Sequence, residues 1–369
     1  MEFFATAAWG TEPALRDELR ELRIPRVRCD RGGVNFEGHW EHAWKVCLHS
    51  RIALRVMLPL QGFFSPDAEA LYDGVRSVDW SEHLTPAHSL AVTASCRDSV
   101  LTHTNFVAQK VKDAVVDQQR DKAGERSSVD RHDPDLHIFL HLKKNNATVY
   151  LDLAGDSLHK RGYRKKTSKA PLKESLAAAI LRLSKWDRRR PFVDPMCGSG
   201  TIAIEAALWS RRVVPGLSRE HFGFERWPNH DESAKKKMAE LREQAQAQAI
   251  TEGPDIFASD IDAEAIDAAF RNAQAAGAQV EFTQASVFDL KPLGSTGMIV
   301  TNPPYGKQID TDAEFYTRLG QTFQKLKNHR IGILLADRKF ERAMGLEQER
   351  YQLLFNGDIQ CSLGSYEIE

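Results

Sequence analysis

Phe192-Val193-Asp194-Pro195-Met196-Cys197-Gly198-Ser199-Gly200-Thr201, running into the apolar residues Ile202, Ala203, Ile204 and Ala206, is the stretch that decides the fold. It reads as a short strand, a glycine-rich turn and the opening of a helix. Glycines in such a turn let the backbone approach a ligand closely and leave amide donors at the helix N-terminus. The spacing Gly198, Gly200, Ala203 also matches the relaxed dinucleotide fingerprint GxGxxA. A nicotinamide dehydrogenase and a plain strand-to-helix turn therefore both stay open at this point. A Walker-type nucleotide loop is excluded, since GxxxxGK[ST] does not occur.

Downstream, Asp255 to Ser259, Gln279 to Thr283, Met298 to Thr301 and Ile331 to Ala336 are short apolar runs separated by helical stretches. That alternation predicts parallel strands with crossover helices, a doubly wound sheet beginning after Pro171. Tyr351 to Phe355 and Ile359 to Tyr366, joined through Asn356-Gly357, predict a closing antiparallel hairpin. Ser259-Asp260-Ile261-Asp262 ends the second of these strands. A carboxylate there can accept from both ribose hydroxyls of an adenosine ligand, and an aliphatic neighbour can pack on the adenine, which marks Asp260 and Ile261. Asp262 reads instead as the cap of the next helix. In dehydrogenases the acid follows the glycines by about 20 residues. Here Asp260 lies 60 residues beyond Gly200, which disfavours that class.

Met298-Ile299-Val300-Thr301-Asn302-Pro303-Pro304-Tyr305-Gly306 is an apolar strand ending in a rigid turn. Two prolines give no backbone donors, leaving the Asn302 amide oxygen and the Pro303 carbonyl as paired acceptors. Paired acceptors suit a planar exocyclic amine, whose lone pair they would draw toward an electrophile, while Tyr305 can stack on its ring. A proline turn after a strand explains any one of these elements, but the combination at the fourth strand of such a sheet points to amine chemistry.

The N-terminal half is built differently. Short strands (Met1 to Ala8, Gly33 to Phe36, Leu54 to Leu60, Ser89 to Ser95, His137 to Leu142, Ala147 to Asp152) alternate with helical stretches at Thr11 to Arg23, His39 to Leu48 and Thr104 to Gln119. This is an α+β pattern, with Thr11 expected to cap the first helix and Pro13 harmless in its first turn. A length of 369 residues suits two or three cores. Lys plus Arg total 50 against 51 Asp plus Glu, so any polyanion site has to be local. The local candidate is Gly155 to Ala170, with Lys160, Arg161, Arg164, Lys165, Lys166 and Lys169 against Asp156 alone, a net charge of +5. Tyr163 is interleaved, and RNA phosphates and a stacked base would suit this segment, although a solvated connector would look the same.

Five cysteines without a CxxC pair fit reduced thiols, and His137 and His141 read as strand residues, so no metal is expected. There is no run of 18 apolar residues and no basic, apolar leader, which predicts a cytoplasmic protein with no membrane partner. Glu232 to Ile250 predicts a partly solvated helix. Phe222, Phe224 and Trp227 read equally as core or as a base pocket.

Taken together, the DPxxGSGT and NPPY turns resemble class I S-adenosylmethionine-dependent methyltransferases acting on amino groups. That turn is shared by enzymes methylating adenine N6, guanine N2 and glutamine, so it sets the reaction and not the substrate. The wider series is Leu151 to Arg164, Ala170-Pro171-Leu172-Lys173-Glu174, the Asp194 to Thr201 turn, and Phe224-Glu225-Arg226-Trp227. This series is similar to RlmL-type THUMP-domain RNA methyltransferases over nearly the whole length.

The resemblance implies a ferredoxin-like segment at 1–60, a THUMP RNA-binding domain at 61–160 and a Rossmann-like methyltransferase domain at 161–369 that methylates guanine N2 in large-subunit ribosomal RNA. It implies S-adenosylmethionine bordered by Asp194, Pro195, Gly198, Gly200, Thr201, Asp260, Ile261, Ser286, Val287 and Asn302, with Asn302, Pro303 and Tyr305 at the target amine. Many relatives carry Asp where this chain has Ser286, which should hold the adenine amine less strongly. Arg97, Phe106, Val107, Lys110, Val111 and Asp113 match the THUMP helix region more loosely. Fused members carry a further methyltransferase domain, whereas this sequence ends after one, so only the guanine N2 activity is implied. A tRNA guanine and a non-catalytic role as an RNA-binding or ribosome-assembly factor are the alternatives.

Overall fold

A computed structural model describes residues 1–164, 172–304 and 313–369. Fifteen strands run through these residues: β1 Glu2–Thr6, β2 Arg28–Asp30, β3 Gly33–Glu37, β4 Arg55–Phe64, β5 Ser89–Arg97, β6 Ser128–Val129, β7 Leu136–Lys143, β8 Asn146–Asp152, β9 Phe192–Asp194, β10 Ile256–Asp260, β11 Glu281–Gln284, β12 Gly297–Thr301, β13 His329–Leu335, β14 Arg350–Asn356 and β15 Ile359–Ile368. They form two sheets, ordered β2-β3-β1-β4-β8-β7-β5-β6 and β11-β10-β9-β12-β13-β15-β14.

In the seven-stranded sheet β9 to β13 are parallel, and β15 runs antiparallel against both β13 and β14. Its central strands are buried throughout, β12 at all five residues, because helices cover both faces. The helices Glu174–Leu183, Thr201–Ser210 and Ala263–Ala276 pack on one side with Phe192, Met298 and Val300. Tyr316, Leu319 and Phe323 pack on the other side with Val193, Ile299 and Ile333. This is the Rossmann-like sheet with a closing hairpin that the sequence predicts. In the hairpin, Asn356 stays in the ladder opposite Ile359, and Gly357 takes the positive φ of 64° that the turn needs.

The eight-stranded sheet is covered on one face only. Its strands alternate, as in Leu136–Lys143, where every second residue is buried. Phe3, Val34, Val56, Leu90, Ile138 and Val149 face a core built with Leu15, Leu19, Val46, Leu71, Val107 and Val111 from four helices. Strand β4 spans the division expected at residue 60, pairing with β1 on one side and β8 on the other. The two N-terminal modules therefore share one sheet and one core. Thr11 does not cap the first helix as expected. Its hydroxyl donates to the Ala8 carbonyl at 2.6 Å, while the Glu12 carboxylate takes the Gly10 and Gly32 amides. The helix Ala68–Arg76, capped by Asp67, was not anticipated.

Phe222, Phe224 and Trp227 prove to be core at the seam between the sheets. Phe224 stacks on Trp44 at 5.4 Å and on Phe222 at 5.7 Å. The helix Glu232–Ala247 buries only Met238 and Ala245, in keeping with its composition. No helix among the described residues is long and apolar enough to cross a membrane.

Candidate functional site

The seven-stranded sheet reverses direction of winding at β9, which lies between β10 and β12. Ligands of open α/β sheets bind beyond the carboxyl ends of the strands at such a switch point. Val193 lies opposite Ile299 in parallel register, so Asp194 and Asn302 emerge at the same edge. Asp260 ends β10 on the other side, with Ala258 opposite Asp194.

The glycine-rich turn is tied to this edge from below. The Gly198 amide donates to Asp260 Oδ2 at 2.9 Å, the Cys197 amide to the Ser259 carbonyl at 2.9 Å, and Asn272 Nδ2 to the Ser199 carbonyl at 3.0 Å. Asp262 caps the helix Ala263–Ala276 through the Glu264 amide, as expected, and its own amide donates to Asp260 Oδ1 at 3.0 Å. Asp260 is thereby fixed in place with its carboxylate still partly accessible.

Asp194 is buried to 1% exposure, and this burial, with Asp260 nearby adding to it, pushes its carboxyl up to about 7. The Cys197 thiol is pushed well up by the same burial and stays protonated, so it is no nucleophile. Ile261 stands 73% exposed beside Asp260, an unusual position for an aliphatic side chain and the one a flat apolar ring would cover. Ser286 Oγ accepts from the Phe288 amide at 3.3 Å, and Val287 is buried beneath with Val193 and Ile299. Val287 thus supports the site from the core.

Two observations test whether an adenosyl-sulfonium cofactor fits. A Cβ built on Gly198, at φ 51°, would meet nothing within 4 Å, so open space lies directly over the turn. Asn302 Oδ1 is buried without a hydrogen-bond partner among the described residues, an acceptor held ready at a cost normally avoided. Asp194, Gly198, Asp260, Ile261 and Asn302 are thus brought together, and Pro195 and Gly200 hold the turn between them. Pro303 follows Asn302 in the same turn, while Tyr305 lies outside the described residues. No group of three or more His, Cys, Asp or Glu among the described residues could hold a metal ion.

The basic connector needs correction. Arg161 and Tyr163 do not face a ligand: they are 5% and 4% exposed and converge on Glu205, at 2.9 Å and 3.2 Å. Arg161 also donates to the Arg51 carbonyl at 2.6 Å, and Arg51 in turn donates to the Val213 carbonyl. Arg164 donates to Thr201 Oγ1 at 2.9 Å and to the Leu172 carbonyl at 2.8 Å, and lies 3.5 Å from Glu174. The hydroxyl of Thr201 therefore faces Arg164 at the head of its helix. Arg161 and Arg51 are internal struts between the two halves of the chain, and Arg164 is one within the second half, each bound where burial demands a partner. Lys160 is exposed and pairs with Asp156 at 3.0 Å, while Lys165 and Lys166 lie outside the described residues.

Sequence reasoning missed Glu205 and Asn272. The signal for Glu205 was present: TIAIEAALWS is apolar on every side but for that acid, so its carboxylate had to find a buried cation.

Comparison with known proteins bears on the same regions. Residues 161–364 match the model of the RMKL-like methyltransferase domain, 65–152 the THUMP domain and 2–57 the RlmL ferredoxin-like domain. The chain is 41% identical to a ribosomal RNA large subunit methyltransferase K/L of Methylococcus capsulatus, over all of this chain and 51% of that protein. It spans about half the length of the curated relatives of that name. A provisionally named RNA methyltransferase of Synechocystis sp. is 34% identical over 99% of this chain and 96% of its own length. Among solved structures, a provisionally named methyltransferase, SMU.472, in complex with SAH superposes with a TM-score of 0.90 at 32% identity, covering all of this chain and 98% of that one.

Proposed function

Since the chain belongs to the RMKL-like methyltransferase family, with a THUMP domain and an RlmL ferredoxin-like domain before the catalytic one, we propose that it methylates the exocyclic N2 amine of a guanosine in RNA, foremost in large-subunit ribosomal RNA. The observation that carries this reading is the buried, unpartnered Asn302 Oδ1 at the end of β12, beside Asp194 and the open space over Gly198. S-adenosylmethionine, when bound, supplies an electrophilic methyl on a sulfonium whose departure leaves a neutral thioether.

Asp194 would take the ammonium of its methionine end, Asp260 the ribose hydroxyls, and Ile261 one face of the adenine. Ser286 would meet the adenine amine through a hydroxyl that already accepts from the Phe288 amide. Asn302 Oδ1 and the Pro303 carbonyl accept the two N–H bonds of the target amine, which fixes its nitrogen and turns its lone pair away from the ring. Tyr305 stacks on the base. No side chain is required as a strong base, because the amine becomes acidic once methylated and loses its proton afterwards. Rate enhancement is then a matter of placement. A guanine paired in a duplex cannot present its amine to a turn at a sheet edge, so the target base is extruded.

The division of labour follows 1–60, 61–160 and 161–369, with the first two parts holding RNA, and the protein acts in the cytoplasm where ribosomal RNA is made. The test is methyl transfer from labelled S-adenosylmethionine to protein-free ribosomal RNA and to tRNA from a strain lacking this protein, followed by nucleoside digestion. N2-methylguanosine from ribosomal RNA is expected. The same nucleoside from tRNA alone would move the substrate, and N6-methyladenosine or no product from either RNA would overturn the reading.

A further inference from the structure

The uncovered face of the eight-stranded sheet does not look like a solvated one. The helices that build its core pack against one face, and the other face of a sheet covered on one side should be polar. Instead Phe4, Phe139 and Tyr150 stand on it half-buried, over a floor that includes Met57 and Pro59, around a concavity of about 730 Å³. The register makes them neighbours: Phe4 lies opposite Met57, Pro59 opposite Tyr150, and Tyr150 opposite Phe139, with those last two rings 6.2 Å apart. Phe4 and Phe139 are three strands apart, about 14 Å, a span that two or three unstacked bases can cover.

The rim is cationic where it is not paired. Arg31 lies 4.5 Å over the ring of Trp9, itself 42% exposed, and neither Arg31 nor Lys143 has a carboxylate within ion-pair distance among the described residues. Arg97 stands beside Lys143 across the strands and pairs with Asp98 at 3.4 Å, and the acids of the lining are Glu2 and Asp30, the latter already accepting from the Arg31 amide and Asn35 Nδ2. The face also opens toward the catalytic half at both ends. Trp9 meets Phe355 of β14 at 6.3 Å, and at the far end Arg55, Thr93 and His137 share a second concavity with Arg219 and Arg226.

We propose that this face is a platform for an unpaired stretch of the RNA substrate, two or three bases stacking on Phe4, Phe139 and Tyr150 while Arg31, Arg97 and Lys143 take the phosphates. Half-buried aromatic rings whose faces line an open concavity, beside the unpaired cations Arg31 and Lys143, suit single-stranded nucleic acid, since every base offers a π-face. The proposal rests on the RNA methyltransferase reading for the identity of its ligand, but it assigns the contact to a surface remote from the amine-binding turn.

The test uses the full chain and fluorescently labelled oligouridine, with a blunt RNA duplex for comparison, read by anisotropy over a salt series. Two variants are compared, Phe139→Ala with Tyr150→Ala, and Arg31→Glu with Lys143→Glu, each checked by thermal melting for an intact fold, since none of the four side chains belongs to the core. The single strand should bind more tightly than the duplex. Removing the rings should weaken it on the order of tenfold for each ring, and each cation removed should lower the slope of log affinity against log salt by about 0.7.

Unchanged binding in both variants, equal affinity for the duplex, or a dimer of this chain that the same substitutions dissociate would overturn the platform. Ribosomal RNA methylation measured in parallel separates the two readings. Methylation that persists at wild-type efficiency in both variants overturns the platform alone. Strand binding that follows the variants while no RNA is methylated supports the platform and overturns the catalytic reading.

Discussion

The two sheets of this chain are of nearly equal width, yet one is clothed by helices on both faces and the other on one. A sheet covered on both faces can offer a ligand only its edge, and it is at the carboxyl edge of β9, β10 and β12 that Asp194, Asp260 and Asn302 collect. A sheet covered on one side has a face to offer, and there the aromatic residues Phe4, Phe139 and Tyr150 are found. The same polymer thus solves two recognition problems by how it distributes its helices: a small rigid site at an edge for chemistry, and a broad surface for a chain-like ligand.

The seam between the sheets is the place to break this arrangement most severely. Glu205→Ala would leave Arg161 buried without its carboxylate and Tyr163 without its acceptor. A loss of about 3 to 5 kcal/mol in unfolding free energy is expected from denaturant titration, and a smaller loss than from an exposed pair such as Lys160 with Asp156 would refute the strut.

The next effect reads the edge site through pH. Asp194 titrates near 7 in the fold against about 3.8 when unfolded. A raised carboxyl keeps its proton longer in the native state, so its contribution to stability is full below pH 4 and is lost as pH rises to 7. Asp194→Asn should therefore raise the stability of the cofactor-free protein at pH 8, by up to about 4 kcal/mol, and leave it little changed at pH 4. Cofactor affinity in the native sequence should rise between pH 6 and 8 as the carboxylate forms, and should collapse in the variant. A thermal melt and a calorimetric titration at the two pH values check both signs.

Asn302→Ala isolates the edge from its cofactor. Turnover should fall by about 10²–10³ for the loss of one preorganised polar group, with cofactor affinity nearly intact, since the role proposed for Asn302 is to hold the amine. Equal loss of cofactor binding would remove that role. Tyr305→Ala should cost about 1 to 3 kcal/mol in kcat/KM with RNA through lost stacking, and unchanged kinetics would mean that the ring does not touch the base.

The edge site was legible in the sequence because its parts are local. Each turn follows its own strand within a few residues, and strands buried on both faces spell themselves out as apolar runs, as Met298 to Thr301 does. The connector was misread because charge alone says nothing of what stands opposite. Arg161, Tyr163 and Arg164 are held by Glu205, Glu174 and Thr201, residues of two other helices, and only the fold brings them together. The face was hidden for a related reason. Phe139 sits in LHIFLHLK, where the buried Ile138 and Leu140 make an outward ring look like part of the same apolar run. Thr11 failed as a cap because its hydroxyl turns back to the Ala8 carbonyl and Pro13, the second residue of the helix, has no amide to offer it.

Strand β4 has a further consequence for how the chain comes to exist. Phe64 waits opposite Asn146, so when the N-terminal strands leave the ribosome their sheet has an open edge that only the later β8 can close. A fragment cut after the ferredoxin-like segment would carry a raw strand edge ready to pair with another copy. Removing the THUMP part would strip β4 of its β8 partner and open the core that the two modules share.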